Sequence, residues 1–346
     1  MDGYAVRASD LAAAPTRLPV AGTVYAGDGV PPPLAPGTAV GLMTGAPLPE
    51  GADAVAPVEW TARDGDHVRI ERAPHAGQFV RRRGGALDVG DELFAAGHVV
   101  TPATVGLAAA IGRATLPVVR RPRVAIVATG DELVPPGRGL RPGQIWDANG
   151  PGLAAQAVAA GGVVDGPHRV RDTAASVSAV LDACAAADVL VFAGGVSMGE
   201  RDRVRPELQR RGVEWSVWGV AQRPGKPFAF GMLDGRPVFG LPGNPVSAAV
   251  GFEVYVRPLL DRQLGRATPA PLRATLAEAI AKPAGLYTFA RVRARRGDGG
   301  LLLHAAGAQD SHVARSLLHA DGLAHLPADW EAAPAGSVVD YSPWAW

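Results

Sequence analysis

Short, fully apolar runs alternate with helical segments between residues 121 and 265. Strands that are apolar at consecutive positions are typical of a parallel sheet covered on both faces. The predicted elements, in chain order, are strand Val124–Ala128, helix Gly150–Ala160, strand Val163–Val164, helix Thr173–Ala187, strand Val189–Ala193, a helix from Pro206, strands Val213–Val217, Phe228–Phe230 and Val238–Leu241, and helix Pro245–Leu260. This alternation predicts a doubly wound, mostly parallel sheet.

The regions on either side of this segment lack a helical period. Residues 1–100 read as short strands between turn clusters, which predicts an N-terminal β-rich module. Residues 266–346 alternate between apolar and polar positions, as in Phe289–Ala294, which predicts a small, β-barrel-like C-terminal module. A helix that follows Thr101 is predicted to connect the modules over 101–118, leaving 119–265 to the α/β domain. The expected fold is therefore multidomain α/β.

Composition and charge exclude several classes of protein. Lys plus Arg number 34 and Asp plus Glu number 33, and this balance argues against a general nucleic-acid or membrane-surface binder. The start of the chain lacks a signal-peptide pattern and no run of 18 apolar residues occurs, so we expect a cytoplasmic protein that does not bind membranes. The one cysteine, Cys184, excludes an internal disulfide; we expect a small buried core residue and no cysteine-based zinc site.

Candidate chemistry follows the predicted strands, where open α/β sheets bind their ligands. The first strand leads into Thr129-Gly130-Asp131-Glu132-Leu133, and its adjacent carboxylates favour a hard cation such as Mg²⁺. The alternative is a turn with an aspartate cap.

The strand Val189–Ala193 leads into a glycine-rich loop, 194–202, whose backbone N–H groups can approach an anion. The loop contains a G-x-S-x-G pattern around Ser197, as in the nucleophile elbow of serine hydrolases. A hydrolase is disfavoured because the helix is delayed to Pro206 and the downstream histidines lie in the C-terminal module. We expect Asp202 to be a cation ligand or a contact to the bound molecule.

Two further loops carry groups suited to oxyanions. The turn Gln222–Pro227 sets Arg223 and Lys226 around Pro-Gly, which suits a tetrahedral oxyanion or phosphate, although a solvated charged turn is the alternative. In Leu241–Ser247, Asn244 is a good helix N-cap and Ser247 lies in the first helical turn, which predicts a second anion site.

These loops, TGDEL, GGVSMGERD, RPGKPFAFG and LPGNPVSAAV, together with MDGYA at Met1 and GAQDSH at Gly307–His312, resemble the molybdopterin molybdenumtransferase family (MoeA-type, also the E domain of gephyrin). Molybdopterin adenylyltransferases share the sheet domain and the GGVSMG-like loop, but they are essentially one-domain proteins. The β modules and the MDGYA start therefore favour the transferase.

The resemblance implies that the enzyme takes molybdate and adenylylated molybdopterin, uses a divalent cation such as Mg²⁺, releases AMP and leaves molybdenum on the dithiolene sulfurs. It also implies roles for individual residues. The molybdate-binding residues are Arg223, Lys226, Ser247, Arg291 and Ser311; the catalytic residues are Asp2, Glu132, Asp202 and Lys226; the metal ligands are Asp131, Glu132 and Asp202; the pterin- or nucleotide-binding residues are Thr129, Gly130, Asp147, Asn149, Gly194, Gly195, Ser197, Gly225, Pro242, Gly243 and Asn244. For Asp147 and Asn149 the alternative is helix capping.

The same resemblance implies a homodimer in which Asp2 acts on the other subunit's site, with the adenylyltransferase and molybdoenzyme acceptors as partners. Three features depart from the family's pattern. Met1 is itself the Met of the MDGYA motif, so we expect either a misassigned start or a truncated chain; Gly85 and Ala86 replace an acidic pair; Arg223 and Asp310 stand where Lys and Gly are common. These departures leave open a second hypothesis, a pterin- or AMP-binding scaffold that has lost turnover.

Overall fold

The computed structural model describes residues 1–195, 204–297 and 299–344. The chain divides into two compact units, Met1–Ala95 and Ala96–Trp346, each of which has its own sheets and core. Within the described ranges, none of the helices combines the length and apolar character needed to cross a membrane.

The N-terminal unit is a β module, as predicted. Its strands form one six-stranded sheet in the order β4-β1-β3-β2-β6-β5. The strands are β1 Gly3–Val6, β2 Thr16–Val24, β3 Ala39–Leu42, β4 Ala54–Pro57, β5 Thr61–Asp64 and β6 His67–Ile70, with 3₁₀ turns at Ala8–Leu11 and Val58–Trp60. A Cβ on Gly3 would lie 2.2 Å from the carbonyl oxygen of Ala56. Only glycine therefore allows β1 to pair with β4 at this position.

The first part of the second unit is an α/β domain. Its elements are α1 Pro102–Ala110, β7 Arg123–Thr129, β8 Leu133–Val134, β9 Ile145–Trp146, α2 Asn149–Ala159, β10 Val163–Val170, α3 Ala174–Ala183, β11 Val189–Ala193, α4 Val204–Arg210, β12 Glu214–Trp218, β13 Gln222–Arg223, β14 Ala229–Leu233, β15 Arg236–Leu241, α5 Pro245–Gly251, a π-helix Phe252–Val256 and α6 Arg257–Gln263. The main sheet has the order β10-β7-β11-β15-β14-β12. Its first four strands are parallel and the last two are antiparallel.

Both faces of this sheet are covered, which explains why the strand sequences are continuously apolar. Alternate residues of β7 and β11 point to opposite faces. One face packs against α2, α5, the π-helix and α6. The other packs against α3 and α4. The doubly wound prediction is confirmed.

A closed five-stranded barrel follows. It consists of β16 Leu272–Leu276, β17 Tyr287–Gly297, β18 Gly300–Ala305, β19 Gly322–Leu326 and β20 Val338–Pro343, with α7 Arg315–His319 before β19. The pairing of β17 with β19 closes the barrel. The short strand β13 also pairs with β17. This pairing attaches the turn that follows Gln222 to the barrel.

The predicted elements hold, with local differences. The helix predicted over Pro245–Leu260 continues to Gln263 and contains the π segment. The helix predicted to reach Ala187 ends at Ala183, and a turn follows in which the backbone N–H of Ala187 donates to the carbonyl of Cys184 (3.0 Å). The predicted cap of α1 is confirmed, since Thr101 accepts from the backbone N–H of Thr104.

Candidate functional site

The loops that follow β7, β11 and β15 meet at one edge of the sheet. These three strands are neighbours and run parallel, and Ala193 of β11 pairs with Ala128 and Leu241. The backbone N–H of Gly194 donates to the carbonyl of Leu241 (3.0 Å). The sequence prediction that these loops share an edge is therefore correct.

Thr129 and two glycines form the tightest part of this edge. A Cβ on Gly194 would lie 2.6 Å from the carbonyl oxygen of Thr129, and a Cβ on Gly195 would lie 2.6 Å from the Thr129 hydroxyl. Both positions therefore require glycine. The Thr129 hydroxyl is buried and has no hydrogen-bond partner among the described residues. A buried hydroxyl of this kind is available to a ligand.

The two acidic residues that follow Gly130 are exposed. Asp131 forms a loose ion pair with Arg171, with Nε and Oδ1 3.6 Å apart. The Glu132 carboxylate lies over Gly130, 2.8 Å from where a Cβ would be. Two other predicted site residues, Ser197 and Asp202, lie outside the described residues.

A pocket of about 320 Å³ lies beside this edge and brings together most of the predicted oxyanion ligands. Its lining comes from the Arg-Pro-Gly-Lys turn, from the loop before α5 and from a barrel loop. The lining residues are Gln222, Arg223, Pro224, Gly225, Lys226, Pro227, Pro242, Asn244, Ser247, Leu286, Asp310, Ser311 and His312. Four of the five predicted molybdate ligands, Arg223, Lys226, Ser247 and Ser311, therefore share one pocket.

The charges in this pocket are not equivalent. Arg223 Nη2 lies 3.3 Å from Asp310 Oδ1, so a carboxylate partly neutralises this guanidinium. Lys226 is exposed, and within the described part of the chain its ammonium has no ion-pair or hydrogen-bond partner. Lys226 is therefore the cation most available to an incoming anion.

The side chains of Gln222 and Tyr255, which the sequence did not predict as site residues, support the turn Gln222–Pro227. The Gln222 side chain, 4% exposed, donates to the carbonyl of Pro224 (3.0 Å) and accepts from the hydroxyl of Tyr255 in the π-helix. Gly225 has φ +95°, and a Cβ there would lie 2.9 Å from Gln222 Nε2. These contacts fix the conformation of the turn.

Three predicted binding residues make contacts within the protein. Asn244 occupies the predicted N-cap position but makes no capping bond with its side chain, which donates instead to the Ser311 hydroxyl (2.9 Å). Asn149 donates to the carbonyl of Gly243 (2.7 Å). The buried Asp147 accepts from the backbone N–H of Gly150 (2.8 Å), in the first turn of α2. The capping alternative therefore describes the contact of Asp147, whereas Asn149 and Asn244 tie loops together.

Arg291 lies behind the pocket and is only 1% exposed. It donates to the hydroxyl of Ser316 (3.2 Å) and to the carbonyls of Ala308 and Asp310 (3.2 and 3.3 Å). Burial, together with the nearby positive charge of Arg223, lowers the pKa of Arg291 to about 10. Arg291 thus holds the barrel loop that carries Ser311; its direct contact with molybdate stays a prediction.

Asp2 belongs to the N-terminal unit. Its carboxylate accepts from both the backbone N–H and the hydroxyl of Thr44, each at 2.8 Å. These two hydrogen bonds hold the pKa of Asp2 below its usual range. Its carboxylate is therefore ionised at neutral pH.

Three family models match the chain in order. They are the MoeA N-terminal region (domain I and II) over residues 1–112, the probable molybdopterin binding domain over 125–262 and the MoeA C-terminal region (domain IV) over 273–344. The chain is also 40% identical to molybdopterin molybdenumtransferase 2 of Mycobacterium tuberculosis over 98% of this chain and 86% of that protein. The chain belongs to the molybdopterin molybdenumtransferase family.

Other members of the transferase family agree with this assignment. The molybdopterin molybdenumtransferase of Bacillus subtilis is 33% identical over 100% of this chain and 85% of its own length. The crystal structure of the molybdopterin biosynthesis MoeA protein of Pyrococcus horikoshii superposes with a TM-score of 0.82, at 34% identity, over 99% of this chain and 86% of that one. The fold and the family resemblance inferred from the motifs are thus confirmed.

Proposed function

We propose that the protein inserts molybdate into adenylylated molybdopterin and releases AMP; the name of its family supports the transfer of molybdenum to molybdopterin. The observation that carries this proposal is the convergence of Arg223, Lys226, Ser247 and Ser311 on one pocket at the carboxyl edge of the sheet. Two cations and two hydroxyls are suitable donors for a tetrahedral dianion. Pro242 and Asn244 of the pocket lining flank Gly243, and a Cβ on Gly243 would lie 3.8 Å from Gly194 Cα.

The groups around Thr129 suit the phosphates or the pterin of the second substrate. The Thr129 hydroxyl is buried with no partner in the described ranges, and Gly194 and Gly195 pack directly against Thr129. Backbone N–H groups of a glycine-rich loop that follows a strand suit an anion. Asn149 donates to the carbonyl of Gly243 and so keeps the neighbouring loop at this edge. This arrangement would place the adenylylated substrate beside the oxyanion pocket.

A divalent cation such as Mg²⁺ fits the acidic loop. Asp131 and Glu132 are exposed carboxylates at a strand end, and carboxylate oxygens are the ligands that Mg²⁺ prefers. When bound, the cation would neutralise phosphate charge. We assign Asp202 to the same ligand set on the family resemblance.

We also propose that the protein works as a cytoplasmic homodimer in which Asp2 faces the partner's site. The adenylyltransferase that makes the substrate and the molybdoenzymes that take the product are its proposed partners.

The test is molybdate- and Mg²⁺-dependent release of AMP from adenylylated molybdopterin. We expect Lys226→Met to raise the KM for molybdate by roughly 10–100-fold, because a charge-assisted hydrogen bond contributes about 1.5–3 kcal/mol. Arg296→Met, at an exposed position of the barrel, is the matched control and should leave KM unchanged. Absence of AMP release by the wild-type protein would overturn the proposal.

One observation favours a second candidate, the binding scaffold without turnover. The ion pair between Arg223 and Asp310 offsets positive charge in the oxyanion pocket. A scaffold would bind molybdopterin or AMP tightly in calorimetry and yet release no AMP. The two measurements on the same preparation separate the candidates.

A further inference from the structure

Three metal-ligand side chains meet away from the pocket described above. Asp165 and His168 lie on the edge strand β10, and Cys184 lies just beyond the last residue of α3. One ligand atom from each residue lies within 4.8 Å of the other two. His168 Nε2 and Asp165 Oδ1 are 3.0 Å apart.

A β-bulge brings the first two ligands to the same face of the sheet. Residues three apart on a regular strand point to opposite faces. Here Asp165 pairs with Ala125 and His168 with Val127, so three steps along β10 match two steps along β7. Ala125 and Val127 pack in the same core as Cys184. The extra residue in β10 therefore directs both side chains toward the cysteine.

Gly166 makes this bulge possible. Its φ is +106°, and a Cβ at this position would lie 2.6 Å from the backbone nitrogen of His168 and 2.9 Å from the carbonyl oxygen of Ile126. Any other residue would have to move the strand. Bulges re-aim side chains and are over-represented next to functional sites.

The surroundings suit a cation with soft ligands. Cys184 is fully buried, whereas the Asp165 and His168 side chains are 22% and 29% exposed, which leaves one side open to water. Without a cation, burial and the nearby Asp165 charge raise the pKa of the Cys184 thiol to about 11. The neighbouring Arg236 donates to the carbonyls of Cys184 and Ala185, both at 3.2 Å, and its charge favours the thiolate.

We propose that Asp165, His168 and Cys184 bind one divalent cation of the zinc class, with water as the fourth ligand. Thiolate, imidazole and carboxylate together select Zn²⁺ or Co²⁺ over Mg²⁺. With bonds of about 2.0–2.3 Å, a tetrahedral zinc ion holds its ligand atoms roughly 3.3–3.8 Å apart. Atoms that are now up to 4.8 Å apart therefore need to close by about 1.5 Å at most. This site revises the expectation that one cysteine leaves no cysteine-based zinc site.

The ion would tie the edge strand β10 to the end of α3. The thiolate and the carboxylate carry two negative charges and His168 binds as the neutral imidazole, so the cation balances the charge of the set. Binding releases the Cys184 proton to solvent. The site is independent of the proposed transferase activity, since none of its ligands lines the oxyanion pocket.

The experiment is a Co²⁺ titration of the full chain after removal of metals with a chelator. We expect a near-ultraviolet thiolate-to-cobalt charge-transfer band that saturates at one equivalent and is abolished by Zn²⁺. His168→Gln and Cys184→Ser should lose the band. His304→Gln, at another histidine of the second unit, and Asp131→Asn, in the proposed Mg²⁺ site, should keep it.

His168→Gln is the decisive variant, because His168 is partly exposed and its replacement leaves the core intact. Circular dichroism checks that each variant is folded. We also expect Zn²⁺ to raise the Tm of the wild type and not that of His168→Gln. A wild-type protein that shows no charge-transfer band at saturating Co²⁺, or a band that survives in His168→Gln, would overturn the site.

Discussion

Two layers of side chains surround the oxyanion pocket, and they differ in exposure and in partners. The front layer, Arg223, Lys226, Asp310 and Ser311, lines the pocket with exposed or half-buried groups. The rear layer consists of groups that bond mainly to the protein, namely Tyr255, Arg291 and Gln222, of which Gln222 also lines the pocket.

Arg223 and Arg291 show what this difference teaches. Both are arginines near one anion site, and the family resemblance gives both the same role. Arg223 is half-buried and forms an ion pair with Asp310. Arg291 instead donates hydrogen bonds to the hydroxyl of Ser316 and to two backbone carbonyls. Two arginines at one pocket therefore differ in their partners: Arg223 faces a carboxylate of the lining, whereas Arg291 bonds to the loop that carries Ser311.

The largest expected effect comes from removing the rear arginine. Arg291→Met should lower the free energy of unfolding by on the order of 3 kcal/mol, because hydrogen bonds to a charged group contribute about 1.5–3 kcal/mol each and the bonded carbonyls stay buried. The loop that carries Ser311 should also lose its conformation, which should abolish turnover. Urea unfolding followed by fluorescence measures the change.

Arg295→Met is the matched control, since Arg295 lies on the same strand, β17, with an exposed side chain. We expect its unfolding free energy to stay within about 0.5 kcal/mol of wild type. If both variants unfold alike, Arg291 does not belong to the rear layer.

The second effect concerns Glu253, on the π-helix. Its side chain is 8% exposed and lies near Gln156, Arg257 and Asp261; burial, the largest influence, raises its pKa from 4.5 to about 7. A carboxyl group with a raised pKa in the folded state stabilises the fold in its protonated form. Its contribution is therefore complete below about pH 4.5 and is lost as the pH rises through about 7.

Glu253→Gln keeps the shape and removes the charge. We expect this variant to be more stable than wild type above pH 7, by on the order of 3 kcal/mol, and to differ little from it below pH 4.5, since one pKa unit corresponds to about 1.4 kcal/mol. Urea titrations across this range measure the difference. The exposed Glu214→Gln is the control, and a parallel pH dependence in wild type and Glu253→Gln would contradict the prediction.

The sequence predicted the main strands and part of the front layer of the pocket. The strands β7 and β11 were predictable to within a residue at each end, because fully apolar runs require coverage on both faces. Their parallel order then predicts that the loops share an edge. The Pro-Gly turn predicted Arg223 and Lys226 as oxyanion ligands and the start of α5 predicted Ser247, whereas Ser311 was named by the family resemblance alone.

The contact between Gln222 and Tyr255 was not predictable in this way. Gln222 bonds to Tyr255, which lies 33 residues later in the π-helix. Residue spacing does not encode such a contact, and a glutamine before an arginine carries no signal of its own. Likewise, Asn244 reads as a helix cap, yet its amide reaches Ser311 of the barrel because the two domains pack there.

A smaller effect is expected at this missed pair. Tyr255→Phe leaves the Gln222 amide oxygen without its donor, which costs about 1–2 kcal/mol of stability and loosens the turn. We expect the KM for molybdate to rise about 3–10-fold while kcat stays near the wild-type value. Steady-state AMP release at varied molybdate measures both constants.

Tyr341→Phe provides the matched comparison, because the Tyr341 hydroxyl also donates one hydrogen bond, to the carbonyl of Asp321 in the barrel (2.9 Å). It should lose a similar amount of stability and keep its KM. Equal KM values for molybdate in the two variants would mean that Tyr255 does not support the conformation of the turn.

The smallest effect tests the front layer itself. Asp310→Asn removes the carboxylate that lies 3.3 Å from Arg223 and leaves the guanidinium free for the anion. Because an ion pair this exposed contributes about 0.2–1 kcal/mol, the KM for molybdate should fall about 2–5-fold with kcat unchanged. In an Arg223→Gln background the same substitution should have less effect, since the released cation is absent. A fall in KM of equal size in both backgrounds would mean that Asp310 repels molybdate directly and does not act through Arg223.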